Sequence, residues 1–274
     1  MMARNQSLIS KHAKSFNWSG FFLPKETFKK CSVLYDFCRT IDDIVDEDDD
    51  LAVKQKKFIE FKLNFKNKST SSSIIKNIWE LIKQENISKK IVEDLFDGVE
   101  SDLKLKVVLA NKKDLLIYAY RVAGTVGLMM AKIFKVKDTF ALKCAIDLGI
   151  AMQLTNISRD VLEDKKLNRY YIKHDFETIK ETIKIADTFY KSSFIAIKSI
   201  PIASRFSIIV ARRIYKKIGD NILKTRNIEK YNKAGKVYVS NVDKIIETFF
   251  SFCDFIKLFF INSKVHLKEN EHSI

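Results

Sequence analysis

Glycine and proline are scarce in this chain of 274 residues, which contains 7 Gly and 2 Pro. An all-β protein needs many tight turns, and those turns favour these two residues. The scarcity therefore argues against an all-β fold and favours long helices. Because 46% of the residues are hydrophobic, the chain can bury a sizeable core without the help of disulfide bonds.

The four cysteines lack the close spacing of a metal-binding motif. Cys31 and Cys38, the nearest two, lie seven positions apart, and the others are Cys144 and Cys253. This pattern predicts reduced thiols in the core of a cytosolic protein, rather than a disulfide framework or a zinc site.

The first residues also lack the apolar run of a signal peptide. The segment nearest to a membrane span is IIETFFSFCDFIKLFFI, residues 245–261, but Glu247, Asp254 and Lys257 interrupt it and it is short for a span. We therefore expect a cytoplasmic protein, with loose peripheral association at the inner face of the membrane. Residues 245–261 are expected to form a docking or interfacial helix, and no obligate protein partner is evident.

The formal net charge is +15, yet the lysines are spread along the chain without a compact basic block. A basic balance fits a nucleic acid, an anionic membrane surface or a polyanionic substrate. Compositional drift explains it equally well. A nucleic-acid binder would need clustered lysine and arginine, so we expect no nucleic-acid partner.

Amphipathic periodicity runs through most of the chain and predicts an all-α protein. The stretch KNKSTSSS, residues 66–73, is the clearest loop, because Ser and Thr compete for backbone hydrogen bonds. No internal repeat or linker divides the sequence, so we expect one domain over residues 1–274. The predicted helices cover residues 24–47, 74–85, 88–103, 112–134, 137–164, 175–198, 202–226 and 235–261.

A polar stripe lies beside the apolar stripe of the first predicted helix. Spacings of 4, 3 and 4 place on one face Tyr35, Arg39, Asp42 and Asp46. Two partly buried carboxylates one turn apart repel each other, and a divalent cation such as Mg²⁺, which prefers oxygen ligands, would remove that penalty. A charged helix end facing solvent gives the same pattern, so this stretch alone leaves both interpretations open.

A second polar stripe occurs in the segment AMQLTNISRDVLEDKKLNRYYI, residues 151–172. Spacings of 3, 4 and 4 align Gln153, Asn156, Asp160 and Asp164. Amides above aspartates are unusual on a face that only provides solubility, but amide oxygens can bind a metal and amide N–H groups can bind an oxyanion. Arg159 and Arg169 lie nearby and could hold phosphate oxygens in bidentate pairs.

Two D-x-x-x-D helices that face each other across a bundle can clamp a diphosphate group through magnesium. The helical segment between them contains small residues in an otherwise apolar stretch, namely Ala123, Gly124, Thr125 and Gly127. Close helix–helix packing would explain these small residues. A groove for a long apolar ligand, bordered by Tyr118 and Val122, would explain them as well. A metal–diphosphate site beside such a groove is what an isoprenoid diphosphate requires.

The order of these motifs resembles that of the squalene/phytoene synthase family of head-to-head prenyl synthases, and within it the bacterial phytoene synthases. The resemblance covers nearly the whole chain and becomes looser towards its end. It is carried by KHAKSF (11–16), FFLP (21–24), YDFCRTIDDIVDE (35–47), YAYRVAGTVG (118–127), QLTNISRDVLED (153–164), NRYYI (168–172), ARRIYKKIGDNI (211–222) and VYVSNVDK (237–244).

The resemblance implies an all-α isoprenoid-synthase bundle around a central active-site cavity. It implies metal binding by Asp42, Asp46, Asn156, Asp160 and Asp164, with Gln153 beside them. It implies contact with diphosphate for Lys14, Ser15, Arg39, Arg159 and Tyr171. It implies that Tyr35, Tyr118 and Tyr215 lie near the reacting carbons. It also implies that Val122, Ala123 and Gly127 form part of the tunnel wall. His12 aligns with an N-terminal histidine of the family at the substrate site.

The implied reaction is the condensation of two geranylgeranyl diphosphates, through a cyclopropyl diphosphate, to phytoene, the first committed step of carotenoid biosynthesis. The resemblance implies Mg²⁺, which Mn²⁺ can replace, and no NADPH. A squalene-type reaction on farnesyl diphosphate is the alternative, and the sequence does not determine the length of the tunnel. Lys236 stands where many members have Arg, and we do not include it among the expected site residues.

Overall fold

The computed structural model describes the backbone of residues 14–261 and the side chains of residues 17–261. Helices dominate this range and confirm the predicted all-α class. In chain order they are α1 (Lys14–Gly20), α2 (Lys25–Asp46), α3 (Leu51–Lys66), α4 (Ser73–Gln84), α5 (Lys89–Glu100), α6 (Lys112–Ala119), a π-helical turn (Tyr120–Gly124), α7 (Thr125–Ile133), α8 (Thr139–Arg159), α9 (Val161–Lys166), α10 (Phe176–Phe194), a 3₁₀ turn (Ile195–Ser199), α11 (Ile202–Leu223), α12 (Ile228–Ala234) and α13 (Asn241–Phe260).

Local sequence explains where several helices begin. Pro24 precedes the first residue of α2 with φ −55°, a value that proline prefers. The side chains of Asn111, Asp175 and Ser240 accept backbone N–H bonds at the starts of α6, α10 and α13. Each of these side chains satisfies an amide that has no partner within its helix.

Helix α8 lies at the centre of the bundle and packs against α7, α10 and α11. It is apolar on most of its faces, as expected of a helix surrounded by other helices. By length and composition, two stretches of residues 14–261 could cross a membrane, namely Lys112–Ile133 and Thr139–Arg159, and 56% and 61% of their apolar windows are buried inside the protein. Such burial is typical of core helices.

Glycines allow the π turn and α7 to lie directly against α8. A Cβ atom at Gly127 would be 2.2 Å from the carbonyl oxygen of Ala145, and one at Gly149 would be 2.2 Å from that of Ala123. Gly124 and Thr125 are buried in the same contact. Close packing therefore explains these two residues, and they do not border the groove that the sequence suggested.

A short parallel pair of strands connects two segments that are distant in sequence. Strand β1 (Val107–Val108) pairs with β2 (Arg169–Tyr170), in the register Val107 to Arg169. The pairing holds the loop after α5 against the segment that follows α9.

Helix α11 also joins the first and last helices that the structure describes. Trp18 Nε1 in α1 donates to Thr248 Oγ1 in α13 at 3.0 Å, and Ser207 Oγ in α11 donates to the carbonyl of Ser19 at 2.8 Å. Both helices pack against α11. The two ends of the described chain therefore cover one side of the bundle together.

Some elements differ from the prediction. Helices α1, α3 and α12 were not predicted. Helix α3 has exposed apolar residues on several faces, which obscures its periodicity, and α1 and α12 are short. The predicted helix 137–164 is interrupted at Asp160, where φ is −104° and ψ is 16°. Cys253 is exposed, so the expectation of core thiols was wrong for this residue.

Candidate active site

A polar cavity of about 330 Å³ lies between α2, α8 and the segment that contains β2. Its charged residues are concentrated on one side of the bundle, and aspartates outnumber cationic residues. The charged side chains that line it are Arg39, Asp42, Asp46, Asp102, Arg159, Asp160, Asp164, Arg169 and Lys236. The four predicted motif aspartates therefore share one cavity.

The first aspartate pair lies at the C-terminal end of α2. The side chain of Asp42 is accessible and lines both the polar cavity and a second one that adjoins it. Removal from bulk solvent, and then repulsion by Asp46, raise the pKa of Asp42 to about 7. Asp46 is half exposed and its Oδ1 accepts a bond from Arg169 at 2.7 Å. Arg39, one turn before Asp43, pairs with that carboxylate at 2.5 Å.

The second pair flanks the break between α8 and α9. Asp160 ends α8 and accepts two bonds from Arg159, at 2.7 and 2.5 Å. Its Oδ1 also lies 3.2 Å from the Nζ of Lys236. Asp164 lies one turn further, and burial followed by repulsion from Asp160 raises its pKa to about 8, although Arg169 opposes this shift. The break at Asp160 leaves both side chains in the cavity.

The amide pair of α8 continues this polar surface. Nδ2 of Asn156 contacts Oε1 of Gln153 at 3.5 Å, whereas Oδ1 of Asn156 is buried and makes no hydrogen bond. A buried acceptor without a donor is costly, so this oxygen fits a site that a cation completes. Within residues 14–261, however, no three His, Cys, Asp or Glu side chains are gathered in a metal-binding group. Asp46 and Asp160 are instead turned towards their arginine partners.

These observations fit divalent metal binding by the aspartates and Asn156. Asp42 and Asp164 have raised pKa values because they are enclosed near other carboxylates, and a cation would relieve that repulsion. Carboxylate and amide oxygens are ligands that Mg²⁺ prefers. The ligand set itself stays a prediction.

Asp102 holds two of the predicted tyrosines in the wall of the polar cavity. The hydroxyls of Tyr118 and Tyr171 donate to its two oxygens at 2.7 and 2.8 Å. Burial raises the pKa of Asp102 to about 6 and raises those of both tyrosines well above the ordinary value. The bond from Tyr171 links the loop after α5, which contains Asp102, to the residue that follows β2.

A second cavity, of about 260 Å³, is mostly apolar and extends from the polar one into the bundle. Residues that line both cavities mark their junction: Asp42, Val122, Gln153 and Asn156. The predicted tunnel residues Ala123 and Gly127 line the apolar part, and so does Tyr215. Its far wall includes Phe134, Ile197 and Ile200.

The π-helical turn places two of these tunnel residues. It inserts an extra residue into the turn at Tyr120–Gly124, and it contains Val122 and Ala123. Such turns in α-helices are frequent at functional sites, because they redirect side chains that a regular helix would turn away. Both residues line the apolar cavity, and Val122 also lines the polar one.

Other predicted site residues are not brought to the cavities. Tyr35 is half-buried on α2 and lines neither of the two. Removal from solvent raises its pKa to about 12. Lys14 and Ser15 lie in α1, at positions where only the backbone is described. His12 lies outside the described residues.

The structure adds Asp102 and Lys236 to the expected residues and gives Arg169 a definite partner. Asp102 stands in the sequence SDLKLK, where alternating charges indicate a solvated loop, so no sequence signal identified it. Lys236 was set aside because it departs from the arginine of related proteins. Its position beside Asp160 shows that the positive charge is kept at the cavity.

The chain is similar in sequence to known phytoene synthases. A family model described as squalene/phytoene synthase matches residues 9–176, which is more than half of the chain. The chain is 26% identical to a 15-cis-phytoene synthase of Pantoea ananas over 240 residues, which cover 76% of this chain and 77% of that protein. It is 28% identical to a phytoene synthase of Cereibacter sphaeroides over 250 residues, which cover 79% and 70%.

Solved structures give the same fold. A dehydrosqualene synthase in complex with ligand matches with a TM-score of 0.75 at 25% identity, over 92% of this chain and 94% of that one. The squalene synthase HpnC from Alicyclobacillus acidocaldarius matches with a TM-score of 0.69 at 17% identity, over 82% and 92%. The second likeness bears on the fold alone, and both confirm the helical bundle that the motifs implied.

Proposed function

This chain belongs to the squalene/phytoene synthase family of prenyltransferases, and we propose that it condenses two geranylgeranyl diphosphate molecules head to head to form phytoene. The junction of the two cavities is the observation that supports this most directly. A polar chamber with four motif aspartates opens into an apolar one at Asp42, Val122, Gln153 and Asn156. A diphosphate head group and an isoprenoid chain need these two environments side by side.

The charges of the polar cavity require a cation before a diphosphate can bind. Five aspartates face four cationic side chains there, and a diphosphate adds further negative charge. Mg²⁺, when bound, supplies the positive charge that stabilises diphosphate as a leaving group. Asp42, Asp46, Asn156, Asp160 and Asp164 are the residues that would hold it.

Arginine and lysine side chains would bind the remaining phosphate oxygens. Arg159 and Lys236 both contact Asp160. Phosphate oxygens can replace this carboxylate as the partner of both cations, since Arg and Lys bind either group. The exchange would free Asp160 for metal binding, so that substrate and metal would favour each other's binding.

The apolar cavity would hold the isoprenoid chain and keep water from the reacting carbons. In the proposed reaction the first substrate loses diphosphate, and the 2,3-double bond of the second attacks the allylic cation. Loss of a proton closes a cyclopropyl diphosphate. Loss of the second diphosphate, rearrangement of the carbon skeleton and loss of another proton give phytoene. The departing diphosphate can accept these protons.

Uncharged tyrosines suit this chemistry. The ring of Tyr215 lines the apolar cavity, and burial raises the pKa of its hydroxyl, which keeps the side chain neutral. A neutral aromatic face attracts a passing carbocation without forming a bond to it. Tyr118 and Tyr171, which donate to Asp102, are kept neutral in the same way at the polar end.

A reaction on farnesyl diphosphate is the second candidate. It is favoured by the likeness to the dehydrosqualene synthase structure, which reaches a TM-score of 0.75. The phytoene synthases among the relatives favour the C20 substrate. The two candidates share the head site and differ in the isoprenoid chain that the apolar cavity must accept.

Purified protein incubated with Mg²⁺ and either prenyl diphosphate, with and without NADPH, separates the candidates. We expect a colourless C40 triene from geranylgeranyl diphosphate, formed equally well without NADPH. Turnover of farnesyl diphosphate alone would contradict the proposal. Turnover that persists in excess EDTA would contradict the metal site.

A further inference from the structure

Helix α13 buries its polar face and exposes its apolar face, which is the reverse of an ordinary surface helix. Its buried positions are mostly polar or charged, and they comprise Lys244, Glu247, Ser251, Asp254 and Leu258. Its exposed face carries nine large hydrophobic side chains: Val242, Ile245, Ile246, Phe249, Phe250, Phe252, Ile256, Phe259 and Phe260. Surface helices normally turn their apolar stripe inwards, so burial against residues 17–261 does not account for the composition of α13.

Ion pairs, rather than apolar contacts, hold much of the inner face of α13 to α11. Arg213 of α11 pairs with Glu247 and Asp254, each at 2.7 Å. Lys217 lies 3.4 Å from Glu247 and 3.9 Å from Asp243. These contacts fix which face points outwards. Arg213 and Lys217 thereby offset the charge of all three acidic residues of α13. Lys257 is the one charged residue of the helix that is exposed.

The exposed apolar area is large. An aromatic side chain presents about 150–250 Å² when free, so the five exposed phenylalanines alone leave roughly 600 Å² uncovered. This matches the largest patch found on a typical monomer, before the aliphatic side chains are added. Phe249 is 68% exposed and Phe260 is 79% exposed, values that indicate almost no cover from the described residues.

The patch continues onto the loop between α1 and α2. The ring of Phe252 lies 4.5 Å from that of Phe206, which lies 5.1 Å from Phe22. Phe21 follows at 6.2 Å from Phe22 and is 75% exposed. The exposed surface is therefore wider than one helix and favours a broad partner over a narrow groove.

Residues 262–274 have too few apolar side chains to cover this surface. They contain three large aliphatic residues, Val265, Leu267 and Ile274, against nine exposed on α13. Residues 1–13 contain four, including two methionines. A second copy of the chain would cover enough area. However, two chains of net charge +15 repel each other. A contact between two α13 faces would also bring together the exposed lysines of both copies.

We propose that the outer face of α13 docks on an anionic lipid bilayer. The net charge of +15 attracts such a surface, and Arg213 and Lys217 lie against the acidic side chains of the helix. Phe and Ile side chains on one helical face enter the boundary between head groups and acyl chains of a bilayer. The helix would therefore lie along the membrane with its ion-paired face still on α11.

Docking in this orientation brings the apolar cavity close to the lipid. Helix α13 packs on α11 and on the 3₁₀ turn. Those two elements also form a wall of the apolar cavity, through Ile197 and Ile208, with Ile200 from the connection between them. A route between cavity and bilayer across this wall rests on the proposed function, because only a lipid substrate or product would need it. Docking itself does not depend on that function.

Flotation with vesicles tests the docking. Wild-type protein should float with vesicles of phosphatidylcholine containing phosphatidylglycerol, and much less with phosphatidylcholine alone. The variant Ile245→Gln/Phe249→Gln/Ile256→Gln replaces three side chains that are 57–68% exposed, and we expect at least tenfold less protein in the floating fraction. Circular dichroism and thermal unfolding should match those of wild type, since these residues contact little.

A matched control lies on α3, which has three large exposed apolar side chains where α13 has nine. Val53→Gln/Ile59→Gln/Leu63→Gln alters side chains that are 42–53% exposed, and this variant should float like wild type. Equal flotation of the α13 variant and wild type would overturn the proposal. So would sedimentation data showing a wild-type dimer that the α13 variant dissociates, because a second copy would then cover the face.

Cys253 gives a direct probe, because it is the exposed one of the four cysteines and lies on the outer face of α13. An environment-sensitive fluorophore attached there should shift its emission to the blue on anionic vesicles, and Cys253→Ser should remove that signal. A probe that stays in water would overturn the docking. Turnover in detergent should be the same in wild type and the α13 variant. If wild-type protein floats with the vesicles but turns over neither prenyl diphosphate, the result counts against the proposed reaction and leaves the docking intact.

Discussion

Tyr118 and Tyr171 stack with their ring centroids 4.6 Å apart and their hydroxyl oxygens 2.9 Å apart. Each hydroxyl donates its proton to a different oxygen of Asp102, so two hydrogen bonds hold the two tyrosines and the carboxylate in a triangle in the wall of the polar cavity. Neither ring can turn without breaking one of these bonds. The two tyrosines are therefore positioned before any substrate binds.

Replacing Asp102 tests this triangle. We expect Asp102→Asn to lower kcat at least tenfold, because an amide cannot accept from both hydroxyls as the carboxylate does. The free energy of unfolding should fall by about 1–3 kcal/mol. Asp97→Asn is the control, because that carboxylate is exposed on α5. Unchanged kcat in Asp102→Asn, measured with saturating Mg²⁺ and substrate, would show that the triangle has no catalytic importance.

Replacing Asp164 should separate stability from activity. The carboxylate has a raised pKa of about 8 because it is buried near Asp160, so a neutral amide removes a repulsion. We expect Asp164→Asn to raise the melting temperature of the metal-free protein at pH 8.5 and to abolish turnover. Asp48→Asn, past the end of α2, should change neither. A lower melting temperature in the Asp164 variant would contradict the electrostatic argument.

The stability of the metal-free protein should depend on pH. Asp42 and Asp164 have pKa values of about 7 and 8 when folded, against an ordinary value near 3.8. Between these values the folded state holds protons that the unfolded state has lost, so the free energy of unfolding decreases as pH rises from about 4 to 8. Denaturation in EDTA at several pH values measures this slope.

Magnesium should reduce the same slope, since it favours the deprotonated carboxylates. In the double variant Asp42→Asn/Asp164→Asn the slope in EDTA should also be smaller. A slope that neither magnesium nor this double variant alters would show that other groups cause the pH dependence.

Close packing against α8 should make Gly127 sensitive to substitution. A Cβ at this position would lie 2.2 Å from the carbonyl oxygen of Ala145, so one of the helices must move. We expect Gly127→Ala to lower the free energy of unfolding by about 1–3 kcal/mol. Gly219→Ala is the control, because its Cβ would meet only a side-chain methyl of Ile183 at 3.2 Å. Urea denaturation of both variants provides the comparison.

Sequence patterns predicted the helices whose apolar residues form one stripe. Helix α2 extends over Lys25–Asp46, close to the predicted 24–47, because Pro24 and a regular stripe define it. Helix α3 was missed, because its exposed Ile59 and Leu63 break the pattern that burial produces elsewhere. The break at Asp160 depends on tertiary contacts, among them Tyr231, whose hydroxyl donates to the carbonyls of Ser158 and Arg159.

The sequence predicted those site residues that share one face of a helix, as Asp42 and Asp46 do. Asp102 could not be found in this way, because its partners Tyr118 and Tyr171 lie 16 and 69 positions away in sequence. The orientation of α13 was equally hidden. Sequence shows that residues 245–261 are apolar, but only the ion pairs to Arg213 reveal which face points outwards.

The bond between Trp18 and Thr248 joins residues 230 positions apart, and it has a consequence for synthesis of the chain. A ribosome adds about 5–20 residues per second, so α1 waits roughly 10–50 s for the helix that it contacts. Until then α11 lacks one of the two helices that pack on its outer side, and Arg213 lacks its carboxylate partners. This side of the bundle therefore closes only after α13 has been synthesised, and until then the nascent chain exposes surface that favours aggregation.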